Sequence, residues 1–236
     1  MTLQRRSRPR RAPWALAGAL GFLAALSIPG TAAANDAQKL IDDSAAMVRT
    51  MLSEEEWTDF YTAFKEAKAV ILVPDFLEAG FLIGGAGGQC LIIARSGESG
   101  AWSAPSFCMI GEVSIGFQIG FQKSEMIMLV MNDAALEEIT GGTAKFGGDA
   151  GLAIGLIGAS VKGATTLNFG ADIYAFSRNQ GLYGGIVLDA GWIGPDSDYN
   201  HAYYGRAVTA RHILIDRRVA NPASVPLIAA LETPSS

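Results

Sequence analysis

The side chains able to act as nucleophiles or metal ligands in this chain of 236 residues are few and scattered. His201 and His212 are its two histidines, and no second histidine or cysteine pair stands at the spacing a zinc site uses. Ser103 and Ser106 would need a base beside them, and neither lies in the Gly-x-Ser-x-Gly turn that presents a hydrolase serine. Asp196, Asp198 and Asn200 alternate as a calcium loop begins, but His201 replaces the sharp-turn glycine and Ala207 the bidentate glutamate. The run Gly84-Gly85-Ala86-Gly87-Gly88 lacks the Lys-Ser/Thr of a phosphate loop and precedes a strand, where a helix N-terminus would be needed. No enzyme, metal or cofactor is expected from these residues, and a hydrolase built on the serines ranks last among the readings. The glycines are better explained as places where strands curve or approach another backbone closely.

The residues suited to binding form a different set. Trp57, Phe60, Tyr61 and Phe64 share one face of a helix that opens at Ser53 with Glu56 in a capping box, and Lys65 and Lys68 close it. Such a face either packs on a sheet or meets a membrane interface, where aromatic rings and snorkelling lysines are favourable. On the second reading Trp57, Phe60 and Phe64 insert, while Lys65, Lys68 and Arg178 contact phosphate. Trp102, Phe107 and Trp192 read as core aromatics, and Arg178 also suits a turn.

These residues must be positioned by strands and helices whose signals run through the whole chain. Val113, Ile115, Phe117, Ile119 and Phe121 alternate with small or polar residues, and Met126 to Met131 is apolar on both faces. With Lys123-Ser124-Glu125 as the turn, they read as an antiparallel pair. Further strands are expected at Ala69–Val73, ended by Pro74, then at Cys90–Ala94, Lys145–Val161, Leu167–Phe176 and Leu182–Ile193, with a last one near His212–Ile215. Ser177–Gly181 and Pro195–Tyr204 read as turn and loop. Helical spacing marks Asn35–Leu52, Ala134–Ile139 and Ser224–Leu231. Cys90 and Cys108 each sit in an apolar strand, where a bridge and two separate buried thiols are both open.

Arg5 to Arg11 and the apolar run Trp14–Ile28, followed by Ala32-Ala33-Ala34, read as a cleaved export signal spanning residues 1–34. Residues 35–66 then form the N-terminal helices of a single domain, and 67–236 its β-rich body. Eighteen basic and 23 acidic residues give a net charge of −5, and removal of the five leader arginines lowers it to about −10. Such a surface repels nucleic acid, so lipid contact must be local or apolar. The expected location is the periplasm, at most peripheral to a membrane.

The ordered motifs Ala67-Lys68-Ala69 to Val73-Pro74, Ala79-Gly80-Phe81, Trp102-Ser103-Ala104-Pro105, Gly116-Phe117-Gln118-Ile119-Gly120, Lys145-Phe146-Gly147, Ser177-Arg178 with Gly181-Leu182-Tyr183, and Tyr204-Gly205 resemble the SYLF domain. The resemblance covers about Ala67 to Leu231. It implies binding of phospholipid or a membrane surface, including phosphoinositide-like headgroups, by a family that regulates actin in eukaryotes. Eukaryotic members that bind phosphoinositides use a basic N-terminal segment, whereas here that segment carries Asp42, Asp43, Glu54, Glu55 and Glu56. No actin is expected in the compartment to which the leader points. The fold expected is α+β: a curved, mostly antiparallel sheet closing toward a small barrel, with two N-terminal amphipathic helices and a short C-terminal one. The alternative is a small outer-membrane β-barrel or structural envelope protein, favoured by strands that alternate as a barrel requires.

Overall fold

A computed structural model describes residues 29–53, 58–147, 152–158, 171–180 and 190–232. The leader residues 1–28, Trp57, and Glu54 to Glu56 of the expected capping box lie outside them. Helices α1 (Pro29–Leu52) and α2 (Thr58–Glu66) precede two long strands, β1 (Ala69–Ala94) and β2 (Ser106–Val130). Then come α3 (Asp133–Gly141), β3 (Ala144–Phe146), β4 (Ile154–Gly158), β5 (Ile173–Gln180), β6 (Ala190–Pro195), α4 (Ser197–Tyr204), α5 (Ala210–Leu214) and α6 (Val225–Glu232).

β1 and β2 pair antiparallel from Ala69 opposite Val130 to Ile92 opposite Ser106. The other edge of β2 is shared, since β5 pairs with Lys123–Val130 and β6 with Cys108–Val113. β3 extends the sheet beyond β6, and β4 joins β5 in parallel.

The ribbon of β1 and β2 curls. A Cβ placed on Gly88 would lie 2.3 Å from the Asp75 carbonyl oxygen and 3.2 Å from Val73 Cγ1. Thirteen residues of straight strand would span about 43 Å, so β1 must turn back on itself to bring positions 75 and 88 together. Register shifts between Val73 and Phe76 and between Gly80 and Leu82 supply part of the bend. The expected α+β class with a strongly curved, mostly antiparallel sheet therefore holds.

Helices cover both faces of one end of this sheet. On one side α1, α2 and α6 pack on Val70, Leu72, Leu91, Phe107, Ile127, Leu129 and Phe176. On the other, α3 and α5 pack on Ile71, Val73, Ile92, Ile110, Met126, Met128 and Val130. Alternate residues of one strand thus enter different cores, which explains why Met126–Val130 is apolar throughout and at most 1% exposed. Cys90 stands directly opposite Cys108, with Cα atoms 4.8 Å apart, and the two form a disulfide.

Several expectations are corrected. Val113–Gln122 and Met126–Met131 are not two paired strands, because both lie along β2 and pair with β1. Lys123-Ser124-Glu125 stays extended because its charges have partners within the sheet: Lys123 with Asp75 at 2.5 Å, and Glu125 with Arg178. Pro74 falls at the register shift, so β1 continues through it. Ser177 to Gln180 belongs to β5 and is no turn. Pro195–Tyr204 is mostly helix, started by the Asp196 carboxylate accepting from Asp198 N and Tyr199 N at 3.1 and 3.0 Å. The segment near His212 is helical as well, with Thr209 Oγ1 accepting from His212 N at 3.2 Å. Within the expected strand Lys145–Val161 the structure gives two short ones, β3 and β4, and residues 148–151 and 159–161 lie outside the described set.

Candidate functional site

The two serines with catalytic potential are engaged in holding the fold together. Ser103, 2% exposed, accepts from Ala94 N at 3.0 Å and donates to the Ala104 carbonyl at 2.8 Å. Ser106 pairs with the buried side chain of Asn200, whose Oδ1 also accepts from Phe107 N at 3.0 Å. Asp196 and Asn200, read as the start of a calcium loop, are thus a helix cap and a brace. Among the described residues no group of three His, Cys, Asp or Glu side chains could hold a metal. Among them, too, no helix is long and apolar enough to cross a membrane.

Trp57 lies outside the described residues, and the other residues expected to meet lipid are not gathered into one exposed surface. Phe60 and Phe64 are each 2% exposed. Their rings stack at 5.4 Å, and Phe60 meets Phe176 edge-on at 4.9 Å. The aromatic face of α2 therefore turns onto the sheet, and in this structure neither ring is available for insertion. Arg178 is half-buried on β5, and its Nε donates to Glu125 Oε2 at 3.0 Å, so its charge is balanced. Lys65 is exposed, and Lys68 lies 3.9 Å from Asp133 in a surface pair. Beside them Arg95 lies over Trp102 at 4.3 Å and over Phe64 at 5.2 Å, and donates to the Lys65 carbonyl at 2.7 Å. Burial there holds its guanidinium below the usual arginine pKa.

A different surface remains uncovered. Residues opposite one another in a sheet project to the same face. Phe107, Met109, Gly111 and Val113 follow at the two-residue strand period, as do Phe121, Lys123, Glu125 and Ile127. The face that carries Phe107 and Ile127 under α1 and α2 thus continues outward beyond them, with no helix among the described residues packed over its exposed positions. On it Phe121 is 70% exposed, Val113 63%, Met109 42%, Leu77 41% and Trp192 38%. Trp192 stands opposite Gly111, and a Cβ there would lie 2.9 Å from the indole, so the missing side chain is what lets the ring lie down on the strand. The expectation of a buried Trp192 is corrected accordingly, whereas Trp102 and Phe107 are core residues at 9% and 0% exposed.

Between this strip and the exposed side of α1 runs a groove of about 570 Å³. Asp36, Lys39 and Asp43 line it from the helix, Asp75, Leu77, Gln89 and Met109 from the ribbon, and Trp192 and Tyr199 from β6 and α4. The hydrogen bond and charge of Asp43 raise the Lys39 pKa. The Tyr199 phenol is raised by burial first and then by Asp36 and Asp196. Gln89 Oε1 is buried and meets no donor. Sequence reasoning missed this site, and its signal was the alternation of Val113 to Phe121 with no helical stripe left to cover it.

The sequence profile of a family described as Ysc84, "Las17-binding protein actin regulator", matches residues 111–233. LAS seventeen-binding protein 3 of Saccharomyces cerevisiae is 30% identical over 172 residues, which is 72% of this chain and 37% of that protein. Protein YSC84 of the same yeast is 29% identical over 172 residues, covering 72% of this chain and 36% of its own length. The human SH3 domain-containing YSC84-like protein 1 is 30% identical over 139 residues, 58% of this chain and 40% of the human protein. The chain thus spans well under half the length of these relatives. No solved structure matches it.

Proposed function

This chain belongs to the Ysc84 family, the SYLF family that its motifs resemble, and from that premise we propose that it is an exported module that binds phospholipid at a membrane surface. The observation that carries the reading is the uncovered apolar strip of Leu77, Met109, Val113, Phe121 and Trp192. Exposed large apolar side chains on one sheet face, three of them lining a groove, mark an interaction site. Burying Phe121 and Val113 in a bilayer boundary would contribute about 1.5–3 kcal/mol each. Such burial would offset repulsion from anionic lipid, to which a net charge of about −10 after leader removal does not draw the protein. Lys65 and Lys68 are the cations of the original set that could still touch phosphate, each worth about 1 kcal/mol near an anionic surface. The leader-like first 34 residues support export to the periplasm.

Helices on both faces of one end of the sheet weigh against strands that cross a membrane there. A protein partner is the second reading, favoured by relatives named for binding Las17. Vesicles of pure lipid separate the two. In co-sedimentation, Val113→Glu/Phe121→Glu is expected to lower vesicle binding at least about tenfold, independently of salt. Lys65→Glu/Lys68→Glu should weaken binding only to anionic vesicles at low salt. Undiminished binding by the first variant would refute the strip as the contact.

A further inference from the structure

We propose that a row of arginines beside the end of β1, separate from the apolar strip and independent of the lipid reading, docks an acidic protein segment. Five of the seven arginines after residue 34 are Arg95, Arg206, Arg211, Arg217 and Arg218, and residues 205–218 set four of them against the single carboxylate of Asp216. The fold brings this stretch to Arg95. Arg217 donates through Nη2 to the Ala101 carbonyl at 2.9 Å and through Nη1 to the Trp102 carbonyl at 3.3 Å, and the Arg95 guanidinium lies over the Trp102 ring, 4.3 Å from its centroid. Arg218 follows Arg217, and Arg206 Nη2 donates to the Arg218 carbonyl at 2.9 Å. Arg206, Arg218, Arg217 and Arg95 therefore stand in a row. The row is distinct from the strip, because Val113 and Phe121 pair with Gly85 and Ala79 in the middle of β1, whereas Arg95 follows its last residue.

Little of the charge in this row is balanced. Arg218 pairs with Asp216 at 3.3 Å, with 62% of its side chain exposed. Arg95, Arg206 and Arg217 donate to backbone carbonyls, and among the described residues none of them pairs with a carboxylate. A carbonyl fixes a guanidinium without cancelling its charge, so these three are held in place and remain to be met by an anion. Arg217 is also the one described non-glycine residue with a positive φ, at 53°. A backbone conformation that L residues rarely adopt is kept here while the side chain stays exposed, as at sites where a binding group is pre-set. The planar guanidinium fork suits carboxylate and phosphate oxygens alike. A single phosphate would need forks that converge on one point, whereas these come from three separate segments in a line. An extended acidic segment lays its carboxylates along such a line, at about 3.3 Å per residue. Because the mature chain carries a net charge of about −10, an acidic partner is repelled elsewhere and directed to the row.

The test is fluorescence anisotropy of the purified chain with a labelled oligoglutamate of about ten residues, which spans roughly 33 Å when extended. Oligoglutamine of the same length is measured beside it. Oligoglutamate should bind, more weakly as salt rises, and oligoglutamine should not. Arg206→Gln/Arg218→Gln should lower the affinity about tenfold, the size of one charge-assisted hydrogen bond, and leave co-sedimentation with phosphatidylcholine vesicles unchanged. Arg49→Gln is the control, because it removes a guanidinium from α1 that likewise donates to a carbonyl, that of Pro226 at 3.1 Å. It should leave peptide affinity unchanged. No binding of oligoglutamate, equal binding of oligoglutamine, or an equal loss in the Arg49 variant would overturn the proposal. So would a loss confined to phosphatidylglycerol vesicles, which would make the row a membrane contact. Peptide binding without any vesicle binding would spare the row and overturn the apolar strip. The peptide pair needs no variant, so a misfolded mutant cannot obscure the result.

Discussion

Phe60→Ala is expected to destabilise the domain by about 3–5 kcal/mol and to leave vesicle binding by the folded fraction unchanged. The ring sits between Phe64 and Phe176 and is almost fully enclosed. Removing it opens a cavity at the place where α2 docks on β5, and close-packed neighbours relax only partly into such a space. Urea unfolding followed by circular dichroism measures the loss, and co-sedimentation at low denaturant measures the binding. A variant of unchanged stability that no longer reached vesicles would restore Phe60 to the surface role suggested by its helical stripe.

Gly88→Ala should cost about 1–3 kcal/mol and loosen the curl, because the added carbon would sit 2.3 Å from a backbone oxygen of the same strand. A flexible side chain could rotate away, but the Asp75 carbonyl moves only with its strand. Gly97→Ala is the matched control, since a Cβ at that turn meets nothing within 4 Å. If the two substitutions shift the unfolding midpoint equally, positions 75 and 88 are not in contact and the ribbon is straighter than described.

Much of the helical framework was legible because its signals are local. The stripe from Ala37 to Leu52, the short helix expected at Ala134–Ile139 and the C-terminal helix after Ser224 all depend on neighbours within a turn or two. The strand plan was less legible. Lys123-Ser124-Glu125 has the composition of a turn, and only Asp75 and Arg178, distant in sequence, keep it in a strand. The caps of α4 and α5 were present as Asp196 and Thr209, but helices of eight and five residues carry too few apolar positions for a period to emerge.

The candidate site was harder to find for a related reason. A periodic apolar face says that a strand wants cover, and it does not say where the covering helix stops. Phe60 and Phe64 had the chemistry of a membrane contact and are enclosed; Phe121 and Val113 had the chemistry of a core and are exposed. Arg178 illustrates the electrostatic version, since its phosphate-like partner is Glu125 on the adjacent strand.

Amide hydrogen exchange of the intact chain, with and without phospholipid vesicles, tests the lipid-contact claim most directly. The account predicts slower exchange at Leu77–Ala86, at Met109–Phe121 and along Asp36–Asp43 of α1, with α2 unchanged. Protection confined to α2, or none anywhere in the chain, would contradict it.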